Sequence, residues 1–282
     1  MSDNKIQWHP AFVSAMNLEL AENREDLMYE KEYNLNTKPL EIDLLVIKKD
    51  RDIQIENEIG KQFHGHNIIE YKSPEDQLNI DTFYKAGAYA SLYKSYGETV
   101  DGRMADDITV SIVRQGKPVK LFGYFKEHGI RVTNPYRGIY YVLDAVLFQT
   151  QIVVIRELDK KNHMWLAALS GGMEKVDMRK LLEKVDTLTQ KQDRELADSV
   201  LEVSIRANRK IVEELRGDEA MCQALLEIME PEISEIREYE MRKGKIIGTV
   251  ETLREVGQSD DEIIRNLIKK YHLSVEQIQE YL

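Results

Sequence analysis

Asp43, Glu70 and Lys72 are the residues of this chain best suited to chemistry. Glu70-Tyr71-Lys72 closes the apolar run His66 to Lys72, just before Ser73-Pro74, and Asp43 is a lone acid inside the apolar segment Glu41 to Lys48. Side chains alternate along a strand, so Glu70 and Lys72, two residues apart, share one face. If the segment carrying Asp43 lies beside them, two carboxylates and an amine meet at one point. An oxygen-loving divalent cation held by an Asp and a Glu, with a Lys adjacent, suits hydrolysis of a phosphodiester. Such a cation acidifies water and offsets phosphate charge, and the ammonium positions the attacking group. The bland alternative is an ion pair of Lys72 with Glu70 or Asp43 at a sheet edge. Charges set in otherwise apolar strands favour the cation, because burial is costly unless a charge is paired or metal-bound.

The elements that must position these groups follow from periodicity. Phe12, Met16 and Leu20 repeat every four residues and predict a helix over 10–22. Strands are expected over 27–35, 41–47 and 66–72. A turn follows the first, near Asn36 and Pro39, and Ser73-Pro74 ends the third. A helix over 80–96 follows, with Asn79 as N-cap and Gly97 past its end. Alternation of Ile108, Val110 and Ile112 predicts a strand over 107–114. Further strands are expected at 120–125, 138–146 and 151–158. Beyond Gly171-Gly172 the chain turns to long amphipathic helices almost without glycine until Gly217. Capping-box patterns at Ser259–Glu262 and Ser274–Gln277 predict two final short helices. The expected organisation is an α/β domain over 1–172, a helical region over 173–243 and a small helical unit over 244–282.

Composition narrows the function classes. The 282 residues carry a net charge of −11, with 18 Lys+Arg against 23 Asp+Glu up to residue 150 and 21 against 27 after it. No basic stretch suited to coating nucleic acid is visible in this balance. Cys222 is the only cysteine, which excludes an internal disulfide and a cysteine-built zinc site. No apolar run reaches the roughly 18 residues of a membrane span, and the first residues lack a signal-peptide pattern. A soluble cytoplasmic protein without a membrane partner is expected.

At this point the order of residues resembles a known group. Asp43 in an apolar strand, Glu70-x-Lys72 ending the next, then a helix and a strand, is similar to the PD-(D/E)XK nuclease superfamily. More narrowly, the chain resembles bacterial PD-(D/E)XK nuclease family transposases, relatives of the recombination-promoting nucleases. Pro-Leu-Glu-Ile-Asp-Leu-Leu-Val-Ile-Lys-Lys49 and Gly-His-Asn-Ile-Ile-Glu-Tyr-Lys-Ser-Pro74 carry the resemblance. It implies an α+β fold with a restriction-endonuclease-like αβββαβ core, extra strands and a helical C-terminal region. It further implies Mg²⁺, replaceable by Mn²⁺, on Asp43, Glu70 and the Tyr71 carbonyl, with Lys72 acting on the water and DNA as substrate. An additional acid from the first helix or strand would be Glu19, Glu30 or Glu32. The motif's proline is absent, since Ile42 precedes Asp43.

Competing readings remain. A nuclease-like core without turnover could serve as an interaction protein, with the C-terminal helices supporting a homo-oligomer. Lys85, Tyr89, Tyr93 and Tyr96 fall on one helix face, where packing on the sheet is favoured over nucleic-acid contact. His64-Gly-His66 reads as a loop rather than a metal site. The final helix pair, with five Lys+Arg against seven Asp+Glu over 244–282, reads as packing rather than DNA recognition. Neither a Gly-x-Ser-x-Gly elbow nor a phosphate-cradling glycine loop is present.

Overall fold

The computed structural model describes residues 7–34, 41–50, 52–216, 223–279 and 281. The turn expected near Asn36 and Pro39, together with Gly217 and Cys222, lies outside them. The fold is mixed α/β, and the chain forms two compact units, Met1–Ala220 and Met221–Leu282.

The first unit opens with helix α1 (Trp8–Glu19), followed by strands β1 (Leu27–Asn34), β2 (Glu41–Lys48) and β3 (His66–Lys72). Helix α2 (Ile80–Ser95) crosses to β4 (Ile108–Arg114), and α3 (Val119–Glu127), β5 (Val132–Tyr136), β6 (Ile139–Val142) and β7 (Gln149–Val154) follow. All seven strands join one sheet in the order β1-β2-β3-β4-β7-β6-β5. Its centre, β3-β4-β7, is parallel, whereas β1-β2-β3 and β7-β6-β5 are antiparallel. Buried central strands need apolar residues on both faces, and β4 supplies them: six of its seven residues are buried.

Helix α2 covers one face. Phe83, Ala86, Tyr89, Ala90 and Tyr93 pack there with Ile68, Val110, Ile112 and Ile152. The packing role expected for Tyr89 and Tyr93 therefore holds, and Asn79 caps the helix by accepting the Thr82 N–H at 2.9 Å. Helix α1 covers the opposite face, with Phe12 stacked on Tyr71 at 4.5 Å between ring centres. Helices α4 (Met164–Ala168), α5 (Lys175–Asp186), α6 (Lys191–Ala207) and α7 (Arg209–Arg216) complete the unit. Both α4 and α6 pack against α1.

The expected elements are corrected at three places. Residues 120–125 form part of α3 rather than a strand, because Leu121 and Phe125 are one helical turn apart and both turn into the core. The α3 stripe also includes Phe122, so the apolar spacing is that of a helix and Gly123 is tolerated within it. Strand β5 was not expected: Pro135 argues against a central strand, and β5 lies at the sheet edge, where a missing N–H costs little. The strand expected over 151–158 ends at Val154 and turns into a short 3₁₀ segment.

The second unit contains α8 (Gln223–Glu255), α9 (Asp260–Tyr271) and α10 (Val275–Gln279). Ile246, Val250, Ile263, Leu267 and Ile278 form its core. The Ser259–Glu262 capping box is formed. The pair predicted at its end thus packs on α8, as the acidic balance suggested.

Candidate active site

The β2–β3 ladder runs from Ile47↔His66 to Leu44↔Ile69, which brings Asp43 level with Glu70 where the ladder ends. There the Tyr71 N–H donates to Asp43 Oδ2 at 2.8 Å, so a side chain replaces the next backbone acceptor. An extended residue turns its N–H and C=O to the same side, which directs the Tyr71 carbonyl toward the same gap. Across this gap the Lys72 ammonium donates to Glu70 Oε2 at 3.3 Å. The structure therefore brings together Asp43, Glu70, Tyr71 and Lys72, the four residues singled out from the sequence.

The electrostatics follow from burial. Glu70 is only 3 % exposed. Burial, then the Asp43 carboxylate, pushes its carboxyl up to about 7, and the Lys72 ammonium opposes them. Asp43 is also raised, chiefly by burial; the Tyr71 amide, His9 and Lys72 pull it back. Glu70 Oε1 is buried with no hydrogen-bond partner. A carboxylate pair with an unpartnered oxygen is starved of positive charge, which is the donor chemistry a hard divalent cation satisfies. Asp43, Glu70 and the Tyr71 carbonyl thus fit such an ion. Among the described residues no three His, Cys, Asp or Glu side chains gather as a metal-holding group, so peptide oxygen and water would have to complete the shell.

Three neighbours were not singled out from the sequence. His9, in the first turn of α1, approaches Asp43 Oδ2 at 4.0 Å and stands edge-on to the Tyr71 ring. Asp76, in the turn after β3, acts on Asp43 and accepts both the Ser73 N–H and its hydroxyl through Oδ2. No local pattern marks His9, since only the packing of α1 brings it there. Asp76 lies three residues past Ser73 in a Ser-Pro-Glu-Asp turn, a spacing that signals a side-chain-closed turn. Arg114, paired with Lys72 across β3–β4, carries a buried Nε without a partner. It was legible as the residue ending the Ile108, Val110, Ile112 alternation. Lys85 on α2 also feels the charges of Glu70 and Asp43.

The additional acid sought among Glu19, Glu30 and Glu32 is not supplied there by Glu19. Its Oε1 accepts the Leu166 N–H at 3.1 Å, and Oε2 meets Asn57 Nδ2 at 3.1 Å and His163 Nδ1 at 3.2 Å. His163, fully buried, reaches Glu58 Oε2 at 3.0 Å with its other nitrogen. This carboxylate–imidazole–carboxylate chain ties α1 to the segments before β3 and α4. Glu30 pairs with Leu45 in β1–β2 and acts on Tyr93. Glu32 has a left-handed backbone, φ 49°, and an exposed side chain. Asp76 is the acid that bears on Asp43. The His64–His66 pair is spent on packing: His64 Nδ1 contacts the Asp106 carbonyl, and His66 Nδ1 meets the Tyr93 hydroxyl at 2.7 Å.

Comparison of the chain with family models, with curated proteins and with solved structures gives no match. No helix among the described residues is long and apolar enough to cross a membrane.

Proposed function

We propose that this protein is a Mg²⁺-dependent endonuclease that hydrolyses DNA phosphodiester bonds, of the PD-(D/E)XK kind. The observation that carries the reading is the buried Asp43–Glu70 pair at the end of the β2–β3 ladder, with Glu70 Oε1 unpartnered and Lys72 beside it. The element order α1-β1-β2-β3-α2-β4 also suits a restriction-endonuclease-like core. When bound, Mg²⁺ supplies charge neutralisation at the phosphate and a more acidic water.

The chain's own residues do the rest. Asp43 is held by the Tyr71 amide and Glu70 by Lys72, so both carboxylates are fixed before substrate arrives. Lys72 presents an ammonium at the carboxylates, where it orients a nucleophilic water and offsets charge as the phosphorus becomes five-coordinate. His9, half exposed beside Asp43, faces the same chemistry from α1. Transposition or recombination would be the setting that the resemblance implies.

The test is cleavage of plasmid and linear DNA with Mg²⁺ or Mn²⁺ against EDTA, in the wild type and in Asp43→Ala, Glu70→Ala and Lys72→Ala. Loss of activity in all three, with folding retained, is the expected result. Metal binding without cleavage on any duplex, single-stranded, branched or RNA substrate would favour an interaction protein that has lost turnover.

A further inference from the structure

A cleft whose lining includes none of Asp43, Glu70 and Lys72 concentrates positive charge in this acidic chain. It measures about 440 Å³ and is lined by Arg137, Arg156, Lys160, Lys161 and Lys180, against Asp159 and Asp177. Five cations less two acids leave a local balance of +3, in a chain whose overall balance is −11. One cation is neutralised: Lys160 pairs with Asp177 at 2.5 Å. Asp159 is committed to a turn, accepting the Lys161 N–H at 2.8 Å. Arg156 is held by neutral acceptors, donating to Gln115 Oε1 at 3.3 Å and the Gly171 carbonyl at 3.4 Å. Its guanidinium is therefore positioned without its charge being spent. Among the described residues, Arg137, Lys161 and Lys180 make no ion pair.

The backbone brings Arg137 to this cleft through a close approach. The turn between β5 and β6 passes at Gly138, whose carbonyl accepts the Val154 N–H at 2.7 Å. A Cβ at Gly138 would meet the Leu158 nitrogen at 2.7 Å, and its φ is 77°. Only glycine combines that backbone with that approach. The apolar part of the lining comes from Leu158, Met164, Ala167 and Met173. Methionine sulfur packs well on the faces and edges of planar rings. Cations combined with such an apolar lining match an anion that carries a flat apolar body. The volume falls within the roughly 300–1,000 Å³ of small-molecule sites.

Position supports ligand binding. Lys72, Arg114 and Val154 are laterally paired across β3-β4-β7, so the segment following Val154 leaves the sheet at the same end as Lys72. Open sheets with parallel strands bind ligands beyond the carboxyl ends of those strands.

We propose that this cleft is a nucleoside-phosphate site, with phosphate on Arg137, Arg156, Lys161 and Lys180 and the base against Met164. The ligand is either a free nucleotide or one unit of a nucleic-acid strand. The site does not depend on the metal chemistry at Asp43.

Calorimetry with ADP, inorganic phosphate and ADP again in Arg137→Gln/Lys180→Gln tests it, alongside anisotropy of a labelled single-stranded oligonucleotide. Both substituted residues are exposed, so the fold should be kept, as checked by circular dichroism. Binding of ADP weakened at least ~10-fold in the double variant is expected, since two charge-assisted contacts are removed. Oligonucleotide displaced by ADP identifies a strand as the ligand source, whereas ADP binding without oligonucleotide binding identifies a free nucleotide. Inorganic phosphate binding as tightly as ADP would overturn the nucleoside assignment. Absence of binding by either nucleotide probe, or binding indifferent to the double substitution, would overturn the site.

Discussion

Replacing Glu70 by Gln should stabilise the protein while removing its response to Mg²⁺. The Glu70 carboxyl is lifted from its usual 4.5 to about 7, first by burial and then by Asp43. Between those values the folded chain holds the proton more tightly than the unfolded one. The contribution of this group is therefore full below about pH 4.5 and is lost as pH rises through 7. At about 1.4 kcal/mol per pH unit, the whole separation amounts to about 3 kcal/mol, most of which is lost between pH 5 and pH 8. Glu70→Gln is neutral throughout and still accepts a hydrogen bond from Lys72. In urea unfolding with EDTA present, its advantage over the wild type should grow by about 2–3 kcal/mol from pH 5 to pH 8. Added Mg²⁺ at pH 8 should stabilise the wild type, by about 2.7 kcal/mol at a hundred times its dissociation constant, and leave the variant unmoved. An advantage independent of pH would refute the claim that ionising Glu70 is costly. Equal stabilisation of both proteins by Mg²⁺ would refute its role in holding the ion.

Other outcomes follow from the same reasoning. His163→Gln breaks the buried link between Glu19 and Glu58 and should cost about 3–5 kcal/mol in chemical denaturation. Burial lowers the His163 pKa, but the hydrogen bonds and charges of Glu19 and Glu58 outweigh it and the net shift is upward. The link's contribution is thus full below about pH 6.5 and lost as pH rises through the raised value, so the variant's deficit should be larger at pH 6 than at pH 9. Phe12→Ala removes the ring stacked on Tyr71 from a fully buried position and should cost about 3–5 kcal/mol, measured by urea unfolding. Ser259→Ala deletes the capping box of α9 and should lower the stability of the second unit by about 0.5–2 kcal/mol in a thermal melt.

The candidate site was legible because its signals are local. Asp43 and Glu70 interrupt apolar strands, and alternation alone puts Glu70 with Lys72. The register that sets Asp43 level with Glu70 could only be assumed, because β2 and β3 are apolar on both faces and alternation alone does not pin their pairing. The strands β1 to β4 and helix α2 were legible because each is a local apolar pattern with a marked end. Misreading 120–125 came from a short apolar run, in which Leu121 and Phe125 fit a helix and Leu121 with Gly123 and Phe125 fit a strand. His9 and the Glu19–His163–Glu58 chain were not legible, because their partners lie 34 to 144 residues apart along the chain. The cationic cleft was hidden for a further reason. Its five basic residues are spread over 137–180 among acids, and they come together only in the folded chain, Arg137 through the Gly138 approach.

Anomalous scattering from crystals soaked in Mn²⁺ decides whether Asp43 and Glu70 share one hard cation. A shared ion gives a single strong peak about 2.1 Å from a carboxylate oxygen of each residue, with Glu70 Oε1 among the ligands. A peak elsewhere with none between Asp43 and Glu70, at Mn²⁺ concentrations that support cleavage, would contradict it.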